Sequence, residues 1–398
     1  MKKFAFVSLG LPPSQSGQSL TVYHLLRKFD PKAYCLVTLK NFYLYGNLGN
    51  CSENLGASTY FVRPDYQVIR GLVAIAAKLR LRLLLSFLLR LRVYQYKRVI
   101  RAEHCSAVVG CTGDLLDPPA AFFASRALNL PFILYTFDYY SRQWPDSFLR
   151  SFADEQEKTI VKGSSAIIVP NECLGREYFQ RYGVRPVVIH NPFDLSGYEK
   201  NHRVSPAPDG VPAEKTIVYT GAVYEAHYSA FRNLIAAIDT AGIPGLKLHI
   251  YTSQSETRLA MNGIKGPVVI HRNLPNDRMP DIQRRADLLF LPLAFASEYP
   301  DIIRTSAPGK IGEYLASGIP VLVHAPRESF VSWYFSRYQC GLVVSDDDPA
   351  LLSEAIRTLL SNRGLRETVT NNARERAKSD FDAGHVREQF ANLISGLE

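Results

Sequence analysis

Thr305-Ser306-Ala307-Pro308-Gly309-Lys310-Ile311-Gly312-Glu313-Tyr314-Leu315-Ala316-Ser317-Gly318-Ile319-Pro320-Val321-Leu322-Val323 is the stretch on which the fold of this chain turns. Pro308 and Gly309 mark a loop, and Ile311, Tyr314 and Leu315 then recur at helical spacing. Gly318 suits a helix C-cap, and residues 319–323 form a short apolar strand. Loop, helix, turn and strand in that order predict one αβ unit. Its helix begins near Lys310, so free amides and the positive helix end face the loop beside a lysine, a setting for an anion such as phosphate. Glu313 follows one turn later on the same face, where a carboxylate accepts hydrogen bonds from ligand hydroxyls such as those of a ribose.

Outward from that unit, the chain of 398 residues exceeds what one core usually holds and predicts two domains of roughly 200 residues each. Hydrophobic residues at 46% and charged residues at 21% describe an ordinary globular chain. A formal charge of +9 predicts an acidic partner, which can be nucleotide phosphate, a membrane surface or nucleic acid. Cys35, Cys51, Cys105, Cys111, Cys173 and Cys340 are scattered with no CxxC pair and no Cys/His cluster, so they read as reduced cytosolic thiols and no metal site is expected. The first ten residues hold two lysines and a short apolar run. Pro12-Pro13 follows without a small-residue cleavage site, so this run predicts a first strand rather than a signal peptide. No uncharged apolar run approaches the roughly 20 residues of a spanning helix. The chain is therefore expected to be cytoplasmic, soluble or peripheral on a membrane.

The run 4–9, bounded by Gly10 and Pro12, precedes an amphipathic helix through Leu20, Val22, Leu25, Leu26 and Phe29, the opening of a doubly wound α/β domain. The turn between them lacks GxGxxG, which argues against a nicotinamide or flavin oxidoreductase. Apolar runs at 34–39, 60–62, 107–109, 132–137 and 166–169 alternate with helical or turn-rich sequence and predict a parallel sheet. Segment 71–101 stands apart, because Lys78, Arg80, Arg82, Arg90, Arg92, Lys97, Arg98 and Arg101 interleave with leucines and Phe87, with no acid before Glu103. Lys78, Arg82, Arg90, Lys97 and Arg101 fall near one stripe, predicting a long amphipathic helix whose basic face lies on anionic headgroups. No nucleic-acid motif or aromatic stacking platform accompanies the charge, so nucleic acid is not an expected partner. Residues 201–215, rich in Pro, Gly and charge, read as a linker, and a second α/β series starts at Thr216.

Written as Pro308, Lys310, Glu313, Tyr314, Leu315, Ala316, Gly318, Pro320 and Val321, the opening stretch resembles the P-x-K-x-x-E-Y-L-A-x-G-x-P-V pattern of bacterial retaining GT-B glycosyltransferases of the group 1, family 4-like kind. Other pieces agree in order. Pro12-Pro13-Ser14-Gln15-Ser16-Gly17-Gln18 is similar to that family's loop after the first strand, and residues 166–194 resemble the end of its N-terminal domain. Residues 216–221, 272–275 and 285–293 resemble its nucleotide-binding half, so the resemblance runs from Phe4 to at least Val344. It implies an α/β GT-B fold, two Rossmann-like doubly wound domains facing a cleft. The acceptor-binding domain would be 1–195, with a C-terminal helix from about 380 to 398 packing back on it, 196–215 the linker and 216–379 the nucleotide-sugar domain. The implied activity is retaining, metal-independent transfer of a sugar from a nucleotide-sugar donor, expected to be UDP-linked, to a lipid-linked or polysaccharide acceptor at the cytoplasmic membrane face. The nucleotide sugar is a substrate, and no cofactor is expected. The alternatives are a nucleotide-sugar 2-epimerase of the same fold and a non-catalytic binding protein on a decayed transferase fold.

The resemblance assigns the donor to Gly17, Gly221, Arg304, Thr305, Ser306, Pro308, Gly309, Lys310 and Glu313, with Lys310 facing the departing diphosphate. Two departures mark this chain. The family follows the glycine of its first C-domain strand with an arginine and then a lysine, whereas Gly221 is followed by Ala222-Val223-Tyr224-Glu225-Ala226-His227, leaving Arg304 as substitute cation. Thr305 stands where the first glutamate of the family's E-x7-E pair belongs, so Glu298 and Asp301 become the candidates to meet the sugar. On the acceptor side Asp138, after the apolar run 132–137, is the candidate to orient or deprotonate the hydroxyl, with Asp114 and Ser16 beside it. Asp346-Asp347-Asp348 reads as a turn and N-cap feature rather than a metal motif.

Overall fold

The computed structural model of the chain describes residues 3–14, 16–40, 55–199, 214–272 and 274–397. Gln15, Cys51, Asn273 and most of the expected linker lie outside the described residues. The chain divides into two compact units, Met1–Pro192 with Ala383–Glu398, and Phe193–Asp382. Residues 193–199, split by the sequence reading between a first domain and a linker, belong to the second unit, where the Tyr198 hydroxyl donates to Gln283 Oε1 at 2.9 Å.

The first unit holds a parallel sheet of β1 (Phe4–Val7), β2 (Tyr34–Leu39), β3 (Thr59–Val62), β4 (Ala107–Cys111), β5 (Phe132–Tyr135), β6 (Ala166–Val169) and β7 (Val187–Val188), in the order β3-β2-β1-β4-β5-β6-β7. The central strands are apolar except for Thr38 in β2 because helices cover both faces, and β1, β2, β4 and β5 are buried at every position. The edge strands β3 and β7 carry the exposed positions. Strand order reverses between β1 and β4, so the loops leaving their carboxyl ends border the crevice of this sheet. Gln18 ties those loops together, its Nε2 donating to Ser8 Oγ and to the Thr112 carbonyl, both at 2.9 Å.

The last helix, Ala383–Ser395, completes the first core. Val386, Phe390 and Ile394 repeat on one helical face and are buried among Phe4, Phe6, Leu25 and Tyr135. The Phe390 ring lies 6.1 Å from Phe4, 6.4 Å from Phe6 and 6.0 Å from Phe29, in edge-on arrangements that aromatic quadrupoles favour.

The second unit repeats the plan with β8 (Thr216–Thr220), β9 (Lys247–Thr252), β10 (Val268–Arg272), β11 (Leu288–Pro292), β12 (Val321–His324) and β13 (Leu342–Val344), in the parallel order β10-β9-β8-β11-β12-β13. Its switch point lies between β8 and β11. Ile217, Tyr219, Phe231, Leu248, Phe290 and Ile356 form a core separate from the first.

One element differs from its sequence reading. Segment 71–101 is not a single helix but two, Tyr66–Lys78 and Arg82–Ala102, joined by a tight turn. Arg80 takes a φ of 54°, and the Leu81 amide donates back to the Ala76 carbonyl at 2.9 Å, closing the first helix in the way a glycine usually does. Arg92, one of the cations interleaved with leucines but not on the basic stripe, is buried. Its Nη1 donates to Asp114 Oδ1 and, at 2.6 Å, to Asp117 Oδ1.

Candidate active site

Lys310 is the N-cap residue of a short helix, Ile311–Ala316, which follows the Pro308-Gly309 turn. The Ile311 amide donates to the Pro308 carbonyl at 3.0 Å, and Gly318, with φ of 77°, lets the chain leave the helix toward β12. The Lys310 chain crosses the carboxyl end of β8, where its Nζ donates to the Tyr219 hydroxyl at 2.6 Å. That hydroxyl in turn donates to the Ala222 carbonyl at 2.6 Å, so its orientation is set by both partners. Gly221 makes the approach possible: φ is 123°, and a Cβ there would lie 3.3 Å from Lys310 Nζ. Only glycine combines that backbone with that clearance.

Burial pushes the Lys310 ammonium down to about 7, against the pull of Glu313. A lysine of this kind gains its proton when an anion arrives beside it. Glu313 is half-buried, accepts from Gln283 Nε2 at 3.3 Å, and is raised above the usual carboxylate range by burial, with Gln283 and Lys310 acting the other way. Buried Gln283 also donates to Thr220 Oγ1 at 3.4 Å. The Thr220 amide donates to the Tyr314 hydroxyl at 2.9 Å, so the helix is fastened to β8 at both Lys310 and Tyr314.

The loop after Gly221 supplies a residue whose role the sequence did not disclose. His227 is buried, its ring 4.4 Å from that of Tyr224, and its Nδ1 has no hydrogen-bond partner among the described residues. Burial first, and then the charge of Lys310, hold it well below the ordinary histidine range, so it is a neutral imidazole. The loop is braced where the Ala294 amide meets the Ala226 carbonyl at 2.7 Å and the Phe295 amide meets Ser229 Oγ at 2.9 Å. The quoted run from Ala222 to His227 contained this histidine, but only the fold brings it beside Lys310.

Other expected donor residues are arranged differently. Arg304 pairs with Asp301 at 2.8 Å within the helix Pro300–Thr305, so the substitute cation and one of the two sugar-side acids neutralise each other. Thr305 is buried and its hydroxyl donates to the Asp301 carbonyl at 2.8 Å. Glu298 and Gly309 are exposed, and Ser306 is half-buried at the C-cap of that helix. Lys310, Gly221 and Glu313 are thus gathered at one strand end, with Tyr219, His227 and Gln283 added by the fold.

In the first unit, Ser16 is an N-cap whose Oγ accepts from the Ser19 amide at 3.2 Å, and Gly17 opens that helix, exposed. Asp138 stands in the loop after β5, where Thr112 Oγ1 accepts from the Phe137 amide at 2.8 Å and the Asp138 amide at 3.4 Å. The residue is exposed, so the upward push that burial gives its carboxyl is tempered by water. Asp114 is buried, with Oδ1 engaged by Arg92 and by the Leu116 and Asp117 amides at 2.8 and 3.1 Å. It braces its loop, which leaves Asp138 as the more accessible acid. Asp348 caps the helix Pro349–Ser361 through the Ala350 amide at 2.8 Å.

Comparison with known proteins bears on the family and the fold. The family model described as glycosyl transferases group 1 matches residues 214–362. A curated relative from Campylobacter jejuni, GalNAc-alpha-(1->4)-GalNAc-alpha-(1->3)-diNAcBac-PP-undecaprenol alpha-1,4-N-acetyl-D-galactosaminyltransferase, is 33% identical over 58 residues. That match spans 15% of this chain and 16% of the relative. Among solved structures, HepE of Anabaena in complex with UDP superposes with a TM-score of 0.69 at 15% identity, covering 100% of both chains. Sucrose-phosphate synthase of Thermosynechococcus elongatus gives 0.68 at 16% identity, over 100% of this chain and 99% of that one. Residues 214–362 of the second unit thus match the glycosyl transferases group 1 model, and the chain as a whole has the GT-B fold that HepE and sucrose-phosphate synthase share.

Proposed function

We propose that the protein transfers a sugar, with retention of anomeric configuration, from a UDP-linked donor to a lipid-linked or polysaccharide acceptor at a cytoplasmic membrane face. The observation that carries the donor half is the partly desolvated lysine at the switch point of the second sheet, with neutral His227 beside it and Glu313 one turn along. A diphosphate arriving there meets a lysine that takes up a proton, which stabilises the charge that grows as the sugar departs. In the tautomer that carries its proton on Nδ1, neutral His227 donates to a phosphate oxygen without bringing a second charge. Glu313, held by Gln283, accepts from ribose hydroxyls. These roles replace the arginine and lysine that the chain lacks after Gly221. Asp138 in the first unit is the candidate base for the acceptor hydroxyl, an exposed carboxylate in the loop that leaves the carboxyl end of β5. The UDP complexes of HepE support the choice of donor, and the undecaprenol-linked substrate in the relative's name supports the choice of acceptor.

Calorimetric titration with UDP tests the donor site. Lys310→Ala is expected to weaken binding by about 10- to 100-fold, the loss of one charge-assisted contact, and Glu313→Ala by about tenfold. Unchanged affinity in both variants removes the basis of the assignment. Incubation with a UDP-sugar alone separates transfer from 2-epimerisation, since an epimerised sugar formed without acceptor would overturn the transferase reading.

A further inference from the structure

The outer faces of Tyr66–Lys78 and Arg82–Ala102 carry a crest of apolar side chains that the fold leaves in water. Leu83 is 86% exposed, Phe87 62% and Leu79 60%, and Val68, Ile75 and Leu81 are exposed as well. Val68, Ile75 and Leu79 repeat at intervals of seven and four, and Leu83 and Phe87 at four, so each set follows one helical face. An adjoining face buries Ile69 and Ala76 in the first helix, and the far face buries Leu85, Leu88, Leu89 and Ile100 in the second. Both helices already have a core-facing side, and packing does not explain the crest. Among the described residues no other helix carries more than one exposed large apolar side chain, Met261 and Leu351 being single cases.

Cations flank the crest. Residues 66–102 contain no acid. Arg80 pairs with Asp146 at 3.3 Å, and Arg82 pairs with Glu155, which ties the turn to the helix Ser147–Gly163. Arg70, Lys78, Arg90 and Arg101 are exposed and make no ion pair among the described residues. With Arg82 engaged by Glu155 and Lys97 half-buried, the free basic surface is narrower than the expected stripe, and the apolar crest runs beside it. A second copy of the chain fits poorly, since a two-fold contact would set these cations against one another. No helix among the described residues is long and apolar enough to cross a membrane. Anionic headgroups over an acyl boundary match both the charge and the apolar row.

We propose that the turn between these two helices seats on an anionic bilayer, with Ile75, Leu79, Leu83 and Phe87 entering the acyl boundary while Lys78, Arg90 and Arg101 meet the headgroups. The purpose of this surface rests on the reading of a membrane-face acceptor, but its geometry is independent of donor and acceptor. Flotation of the full chain with phosphatidylcholine vesicles, with and without phosphatidylglycerol, tests it. Binding is expected only to the anionic vesicles, weakening with salt, and falling at least tenfold in Leu83→Ser/Phe87→Ser. Leu83→Trp emission should shift to the blue on anionic vesicles, and Leu351→Trp emission should not. Absence of flotation, flotation unchanged in the double variant, or a dimer lost in that variant without any flotation each overturns the proposal. UDP-induced thermal stabilisation of the same samples reads the donor site separately, so failure of one reading is not mistaken for failure of the other.

Discussion

At the scale of single residues the site is defined by a proton. The free Lys310 ammonium is held at about 7 by burial, and a bound diphosphate raises it, so binding at higher pH must draw a proton from solution. A group whose pKa rises on binding adds affinity fully below its free value, and that gain is lost as pH climbs toward the bound value. UDP-sugar affinity should therefore be greatest below pH 7 and fall by about tenfold per unit above it until the bound pKa is reached. Calorimetry in buffers of different ionisation enthalpy should register proton uptake at pH 8. Lys310→Met is expected to abolish both the slope and the uptake. His227→Gln should weaken binding yet keep the slope, because the imidazole is already neutral over this range. A slope that survived in Lys310→Met would assign the proton elsewhere. Little of this was legible beforehand. Lys310 and Glu313 were visible from their spacing around the Pro308-Gly309 turn, but desolvation of the lysine depends on Tyr219, and the place of His227 depends on a loop whose length carries no chemical signal.

At the scale of elements, local signals decided what could be read. The strands of the first sheet were largely evident because parallel sheets buried on both faces demand nearly unbroken apolar runs, as in β2 and β5. The break at Arg80 was not, since no Gly or Pro marks it and an arginine supplies the left-handed turn. Burial of Arg92 was equally hidden, because its partners Asp114 and Asp117 come from the stretch after β4. The short helix carrying Glu313 depends on a contact of the same non-local kind. Gly312 faces Phe193, and a Cβ there would come within 2.5 Å of Phe193 Cδ1. Gly312→Ala is expected to destabilise the second unit by about 1–3 kcal/mol and to weaken UDP binding by displacing Glu313. Phe193→Ala combined with Gly312→Ala should recover part of the loss, a coupling measurable by urea denaturation. Purely additive losses would show that the helix does not depend on this packing.

At the scale of the whole molecule, two separate cores imply two stabilities. The first is closed by the helix Ala383–Ser395 from the far end of the chain, and the second holds the donor residues. UDP bound by the second unit stabilises that unit by RT ln(1 + [L]/Kd), about 2.7 kcal/mol at a hundredfold excess over Kd. Calorimetric scans should therefore resolve two transitions, of which UDP moves one. Phe390→Ala removes a ring packed against Phe4, Phe6, Phe29 and Tyr135, and it should lower the other transition by about 3–5 kcal/mol without altering UDP affinity. Lys310→Ala should do the reverse, leaving both transitions near their places without ligand and erasing the UDP-dependent shift. Should UDP move both transitions equally, or Phe390→Ala lower the UDP-sensitive one, the division into two independently stable cores would be wrong. The loss caused by Phe390→Ala would then be a property of the whole chain rather than of its first unit.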